Sequence, residues 1–358
     1  MTYAARRHSA ICVQPDPAIL TIAIPTYNRA AKLEAQLARL VPQLTPEVRL
    51  CVYDNASPDH TREVVAKYPG IFYYRAATNC GAGRNFFRGF EECATEWLWV
   101  LSDDDLVTTS AVVDLLGSLR QETCDFVHIW SWMSPYERDT VVSDLPSLFQ
   151  HANMRSLTWI TAGIYRISAF RPLFRLYNEG ISTWGPHLIM ILSLIESGKG
   201  RAHLTPIRLT IITTTPGTWS TLDGLLRLSH VPEYLVRPAH QQLVAESIFI
   251  EFFNDYMLMG LRESAGSQEI QRWQRVYAQA RNNLKTYQAR GIWHHVARNW
   301  YRTGQRRLSL RMAQQACMIR LLNWCPVGLF HVLVRLLPLD NHLKDEYYGK
   351  RNEYVPSA

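Results

Sequence analysis

The chain alternates between short apolar runs and longer stretches of helical periodicity, and each of the first four apolar runs stops at a polar turn. The first run is Leu20-Thr21-Ile22-Ala23-Ile24, closed by Pro25, which has no N–H to give to a ladder. A helix follows with Leu33, Leu37, Leu40 and Val41 on one face. The second run, Val48 to Tyr53, ends in Asp54-Asn55-Ala56-Ser57-Pro58-Asp59, whose polar residues suit the cap of a helix from Thr61 to Lys67. The third, Ile71 to Tyr74, leads into Thr78-Asn79-Cys80-Gly81-Ala82-Gly83-Arg84-Asn85 and a helix through Phe86, Phe87, Phe90 and Cys93. The fourth is Trp97-Leu98-Trp99-Val100-Leu101. Such alternation predicts an α/β fold, a mostly parallel sheet with right-handed crossovers and flanking helices. The polar turns then converge on one sheet edge, where ligands bind in open α/β sheets.

The fourth run is followed at once by Ser102-Asp103-Asp104-Asp105. Carboxylates crowded this closely raise one another's pKa unless a cation sits among them. Mg²⁺ in particular is usually held by one or two carboxylates together with substrate phosphates. The triplet therefore points to a metal and a phosphate. A plain structural reading also exists: a solvated turn before the helix that Thr108, Thr109 and Ser110 introduce, with Val112, Val113, Leu115, Leu116 and Leu119 as its apolar positions.

The strand-end turns, taken in order, resemble glycosyltransferase family 2, inverting nucleotide-sugar transferases of the GT-A fold. The matching pieces are Pro25-Thr26-Tyr27-Asn28-Arg29, Asp54-Asn55-Ala56-Ser57, Asn79 to Asn85, and Ser102 to Asp105. The resemblance is close from Leu20 to Leu119, weaker to about Ser220 and vague beyond. Ser102 stands where the family usually has Asp, so the acidic run is shifted toward its C-terminal members. The resemblance implies a GT-A, Rossmann-like domain and Mg²⁺ or Mn²⁺ as cofactor. It implies a nucleotide-diphosphate sugar as donor and a glycan or lipid-linked glycan as acceptor. Pro25, Thr26, Tyr27 and Arg29 would line the nucleotide pocket, with Asp54 and Asn55 at the base and Arg84 approaching the donor. Asp103 would face ribose or phosphates, and Asp104 would bind the metal with Asp105 beside it. Each residue also has a local role open to it: Asp54 and Asp59 as caps, Asn28 as a turn residue, Arg84 as a solvated helix residue.

An inverting transfer needs a base for the acceptor hydroxyl. The family takes an Asp at the start of a helix ending in Gly. Here the corresponding stretch is Thr183 to Gly198, in which Pro186 suits a first helical turn and Gly198 its stop, and His187 falls at the family's position. An imidazole can do this proton transfer near neutral pH. Glu179 and Asp223 are the reserves.

Asp125 to Trp130 and Ile207 to Thr213 read as further strands, and Leu157 to Arg166 resembles the family's acceptor segment. Pro216-Gly217 marks a loop, with Trp219 as a sugar platform or an ordinary packed residue. From Leu235 the chain turns helical, dividing it into a lead over 1–17, a transferase domain over 18–234 and a helical region over 235–358. Leu321 to Leu337 is apolar but interrupted by Pro326 and Gly328, short of the ~20 residues that a membrane span needs. With Arg298, Arg302, Arg306, Arg307, Arg311 and Arg320 nearby, this tail suits an anionic membrane surface.

The net charge of +7 over 358 residues suits phosphate-rich ligands. The lead, Met1 to Pro17, has no signal-peptide pattern. The seven cysteines include no Cys-x-x-Cys pair, which indicates neither a zinc site nor a disulfide framework. The expected location is cytoplasmic, with the tail at the inner face of the cytoplasmic membrane. A nucleotidyltransferase is the first alternative, weakened by the absence of glycine from Pro25 to Arg29. A basic nucleic-acid binder is the second. The acidic triplet argues against it, because it would repel phosphate unless a metal intervened, and nucleic acid is not an expected partner.

Overall fold

The computed structural model describes residues 17–131, 134–211, 221–253 and 267–287. The lead, the Trp219 loop and the basic C-terminal segments lie outside the described residues. The strands are β1 (Leu20–Thr26), β2 (Val48–Asp54), β3 (Phe72–Arg75), β4 (Trp97–Val100), β5 (Phe126–His128), β6 (Thr140–Val142), β7 (Gly163–Arg166) and β8 (Ala202–Leu204). The helices of the first half are α1 (Ala30–Leu40), α2 (Thr61–Ala66), α3 (Ala82–Glu92) and α4 (Ala111–Leu119). Short helices α5 (Leu145–His151), α6 (Met154–Thr158), α7 (Ile167–Phe170) and α8 (Phe174–Glu179) precede the long buried α9 (Pro186–Glu196). α10 (Thr221–Leu228), α11 (Pro238–Phe253) and α12 (Ser267–Thr286) follow.

The strand order is β3-β2-β1-β4-β7-β5-β8-β6. Four neighbour pairings are parallel, and the three made by β4 with β7, β5 with β7 and β6 with β8 are antiparallel. Because β7 runs against both β4 and β5, those two point the same way. The C-terminal ends of β1 to β5 and β8 therefore share one edge with the N-terminal end of β7. Register makes that edge level: Thr26 pairs with Asp54, and Asp54 with Arg75. β4 pairs with β1 only as far as Ala23. It stops short of Thr26, and the four residues after Leu101 have room to curl beneath the β1–α1 turn.

Every residue of β1 is buried. Pro25 does not end the strand, which runs on to Thr26. It lies beyond the β4 ladder, so its neighbour on that side has already stopped and no partner is lost there. Leu33, Leu37 and Leu40 of α1 are completely buried with Leu20, Ile22 and Ile24 in one apolar cluster beneath α1 and α4. Burying such a side chain stabilises by about 1.5–3 kcal/mol. A second cluster on the other face joins α3, α7 and α9. It continues without a break into Val244, Ala245 and Ile248 of α11 and Tyr277, Ala280 and Leu284 of α12. The start of the helical region thus packs on the same core as the sheet.

Of the strand expected over Ile207 to Thr213, residues 212 and 213 lie outside the described residues, and residues 207–211 make only an isolated bridge, between Val107 and Thr210. β6 and β8 carry too few residues to show a period, and they form because their partners hold them. His203 of β8 lies between Glu122 and Asp139, with 2.9 Å from Nε2 to Asp139.

Candidate active site

The acidic turn sits against the start of α1. The hydroxyl of Thr26 donates to Asp103 Oδ2 at 2.7 Å, and Arg29 Nη1 donates to Asp103 Oδ1 at 2.9 Å. The same Arg29 nitrogen lies 3.0 Å from Asp104 Oδ2, and Lys32 Nζ lies 3.2 Å from that oxygen. Ser102 donates to Asp104 Oδ1 at 2.6 Å. Gln36, fully buried, donates to the Asp105 carbonyl at 2.7 Å and accepts from the Val107 N–H at 3.2 Å. Lys32 and Gln36 were not expected here. Their signal is spacing: residues 29, 32 and 36 fall on one face of a helix.

The three carboxylates have different surroundings. Asp103 is 3% exposed. Burial pushes its pKa up, and Arg29 and Thr26 offset only part of that. Asp104 is half-buried; burial acts upward there too, but Ser102, Arg29 and Lys32 outweigh it and hold the pKa low. Asp105 was expected beside the metal. Its Oδ2 instead accepts from the Trp159 indole at 2.8 Å and the Thr161 hydroxyl at 2.6 Å. Burial pushes its pKa up to about 6. The structure therefore groups Asp103 and Asp104 with the cations and gives Asp105 to another segment.

Asp54 is completely buried. Its Oδ1 accepts from the Ser57 N–H at 2.8 Å, and its Oδ2 from Tyr73 at 2.6 Å and Arg75 at 2.7 Å. Burial would raise its pKa, but these bonds outweigh it and keep the carboxylate ionised. A base contact would have to share those oxygens. Asn55 holds the next turn: its Oδ1 accepts from Cys80 N at 2.9 Å, and its Nδ2 donates to Asn79 at 2.8 Å. That turn reaches α3 through Gly81 at φ 83°, a conformation that glycine adopts without steric cost. Asn28, at φ 54°, takes its N–H to Ser57 Oγ at 2.9 Å and leaves Tyr27 exposed at the mouth of the edge. Arg84 was expected at the donor, but its guanidinium pairs with Glu91 at 3.0 Å and lies over the Phe87 ring.

His187 was expected as the base. It is 4% exposed in the first turn of α9, and its Nε2 lies 3.1 Å from the Thr158 carbonyl. A carbonyl can only accept, so Nε2 carries the proton. Burial lowers the pKa to about 4, more than the neighbouring carbonyls raise it. The imidazole is thus neutral at pH 7, enclosed, and committed as a donor.

Among the described residues no three His, Cys, Asp or Glu side chains are grouped to hold a metal ion. The donor set fits a hard divalent ion in a more limited way. Asp104 offers a partly open carboxylate whose Oδ2 already gathers two cations, and donor phosphates would supply the remaining oxygens.

Residues 21–174 match the family model for glycosyl transferase family 2. Over those residues the chain resembles glycosyltransferase family 2. It is 30% identical over 129 residues to the abequosyltransferase RfbV of Salmonella typhimurium, covering 31% of this chain and 39% of that one. An uncharacterized glycosyltransferase of Mycoplasma pneumoniae is 26% identical over 116 residues, covering 30% and 39%. The chain thus spans about two fifths of the length of these relatives. In fold it is similar to S. aureus TarS 1-349 in complex with UDP-GlcNAc, with a TM-score of 0.61, 14% identity, and 92% and 93% of the two chains covered. The same protein with UDP gives a TM-score of 0.54 at 17% identity over 80% and 92%. The matched region accordingly has the GT-A fold, and it contains all four strand-end turns described above.

Proposed function

We propose that this chain transfers a sugar from a nucleotide-diphosphate donor to a hydroxyl of a glycan or lipid-linked glycan, with inversion and with Mg²⁺ or Mn²⁺. The observation that carries the reading is the cluster of Thr26, Arg29, Lys32, Asp103 and Asp104 at the sheet edge, inside the region that matches the family 2 model. Two cations and two carboxylates within hydrogen-bond reach suit a metal–diphosphate group. Arg29 and Lys32 bind phosphate oxygens, Asp103 orients the ribose or Arg29, and Asp104 holds the metal. When bound, the ion neutralises charge on the leaving diphosphate. Tyr27 offers an exposed ring to the base.

In the transfer the acceptor oxygen bonds to the anomeric carbon as the bond to the diphosphate oxygen breaks, and the hydroxyl proton passes to a base. The enclosure of His187, with its pKa lowered to about 4 by burial, argues for another group in that role. Of the reserves, Glu179 is exposed and bonded to Arg175 at 2.6 Å, and Asp223 lies in the first turn of α10. We favour Asp223, because it follows directly on the loop that carries Trp219.

The test is thermal stabilisation by UDP, GDP, dTDP, CDP and ADP, each with and without Mn²⁺. Binding to the folded state at 100 times Kd adds about 2.7 kcal/mol. Stabilisation by one of them, stronger with Mn²⁺, is the expected result; none from any of the five would overturn the reading. No helix among the described residues is long and apolar enough to cross a membrane. Attachment through the basic tail is a proposal, checked by binding to anionic liposomes that weakens with salt.

A further inference from the structure

Asp105 and His187 hold the two sides of one short segment. Asp105 Oδ2 takes hydrogen bonds from Trp159 and Thr161. The Thr161 hydroxyl, while donating to Asp105, accepts from the Ser102 N–H at 3.1 Å. One hydroxyl therefore ties the first residue of the acidic turn to the last. The Thr161 carbonyl in turn accepts from the Trp99 indole at 2.8 Å, which fixes the segment to β4. On the opposite side His187 donates to the carbonyl of Thr158, one residue before Trp159. The segment also bridges the two apolar clusters: Leu157 and Ile160 belong to one, Trp159 and Ala162 to the other.

We propose that Asp105 and His187 are positioning residues, forming with Thr158, Trp159 and Thr161 a brace that sets where Asp103 and Asp104 stand relative to Arg29. The brace rests on the family 2 reading of the acidic turn. It differs from that reading in giving Asp105 no metal and His187 no acceptor proton. Its physical basis is anchoring. Asp103 and Asp104 lie in a tight turn whose two ends are both held by Thr161, one directly and one through Asp105. His187 in the first turn of α9 is thereby linked through the 158–161 segment to the acidic turn.

Conservative and disruptive variants separate this from a ligand or base role. Asp105→Asn retains a carbonyl oxygen that accepts from Trp159 and Thr161, whereas Asp105→Ala retains nothing. His187→Gln retains a donor at the Nε2 position, whereas His187→Ala does not. Thr161→Val removes the central hydroxyl at nearly constant shape without touching a charge. The measurements are calorimetric affinity for UDP with Mn²⁺, or for whichever of the five diphosphates the parent binds, together with kcat and KM. Asp105→Asn and His187→Gln should stay within about threefold of the parent in affinity and kcat. Asp105→Ala, Thr161→Val and His187→Ala should each weaken affinity about tenfold, the effect of losing one net hydrogen bond of about 1.4 kcal/mol. Loss of metal-dependent affinity in Asp105→Asn, with Thr161→Val unchanged, would overturn the brace and restore Asp105 as a ligand. Loss of kcat alone in His187→Gln would overturn it on the other side. A parent that bound none of the diphosphates would overturn the functional reading itself, and the brace with it.

Discussion

Asp104 accepts at 3.0 Å from Arg29, the residue that occupies the N-cap position of α1 but makes no cap there with its side chain. The first turn of α1 is capped from elsewhere, the Ala30 N–H going to Asp59 at 2.9 Å. Asp59 also accepts from the Thr61 hydroxyl at 2.6 Å, so one carboxylate serves both α1 and α2. The Arg29 carbonyl accepts from the Lys32 and Leu33 N–H groups, while its guanidinium, which carries donors only, turns to Asp103 and Asp104.

Asp104→Asn should abolish most metal-dependent nucleotide binding while the fold survives. The side chain is half-buried, and partly exposed ion pairs contribute only about 0–1 kcal/mol. Calorimetry with and without Mn²⁺ checks the first part and a melting curve the second. Undiminished metal-dependent affinity would remove Asp104 from the metal site.

Arg29→Gln should destabilise the protein, because it leaves Asp103 buried with Thr26 as its neutral partner. An unpaired buried group costs about 1–3 kcal/mol. The sign with pH follows. Asp103 already has a raised pKa, and losing Arg29 raises it further. The folded state then binds a proton more readily than the unfolded one, so the deficit shrinks as pH falls. Urea unfolding of parent and variant at pH 7 and pH 5 measures it, and a deficit that grew on acidification would exclude the account.

His128 and His187 should make the fold sensitive to mild acid. Burial lowers both pKa values to about 4, below the model-peptide value near 6.5. Each contributes stability that is complete above that unfolded value and is lost as pH falls toward about 4. The slope is at most about 1.4 kcal/mol per pH unit for each group. Asp105, raised to about 6, titrates in the same window with the opposite sign. The check is therefore a difference: His187→Gln should unfold with one proton less of pH dependence than the parent between pH 6.5 and 4. Turnover near neutrality should show no titration of His187, and a profile that lost a step near pH 6.5 in the variant would contradict this.

Gly89→Ala should separate α3 from the sheet. A Cβ at Gly89 would stand 2.8 Å from Ala23 Cβ in β1, where neither backbone can yield cheaply. Overpacking of this kind costs about 1–3 kcal/mol. A lowered melting temperature, with nucleotide affinity weakened less than in Asp104→Asn, is the expected pattern.

The order of β1 to β4 with their helices, the buried faces of α1 and α4 except for Val113, which is exposed, and the gathering of polar turns on one edge were legible in the sequence. So was the acidic turn as a cluster of carboxylates directly after β4. These features are local: periodicity and turn chemistry act over a few residues and survive whatever packs against them. Only the tertiary structure decided that β7 enters antiparallel between β4 and β5, or that β6 and β8 are strands, since those pairings join residues far apart in the chain. It also decided the fates of three adjacent carboxylates. Asp103 and Asp104 turn to Arg29, 74 and 75 residues earlier, while Asp105 turns to Trp159, 54 residues later. Within a tight turn, neighbouring side chains have the same local propensities. Their directions, their pKa values and hence their chemistry are set by which distant partner can satisfy each buried charge, and sequence spacing carries no record of that.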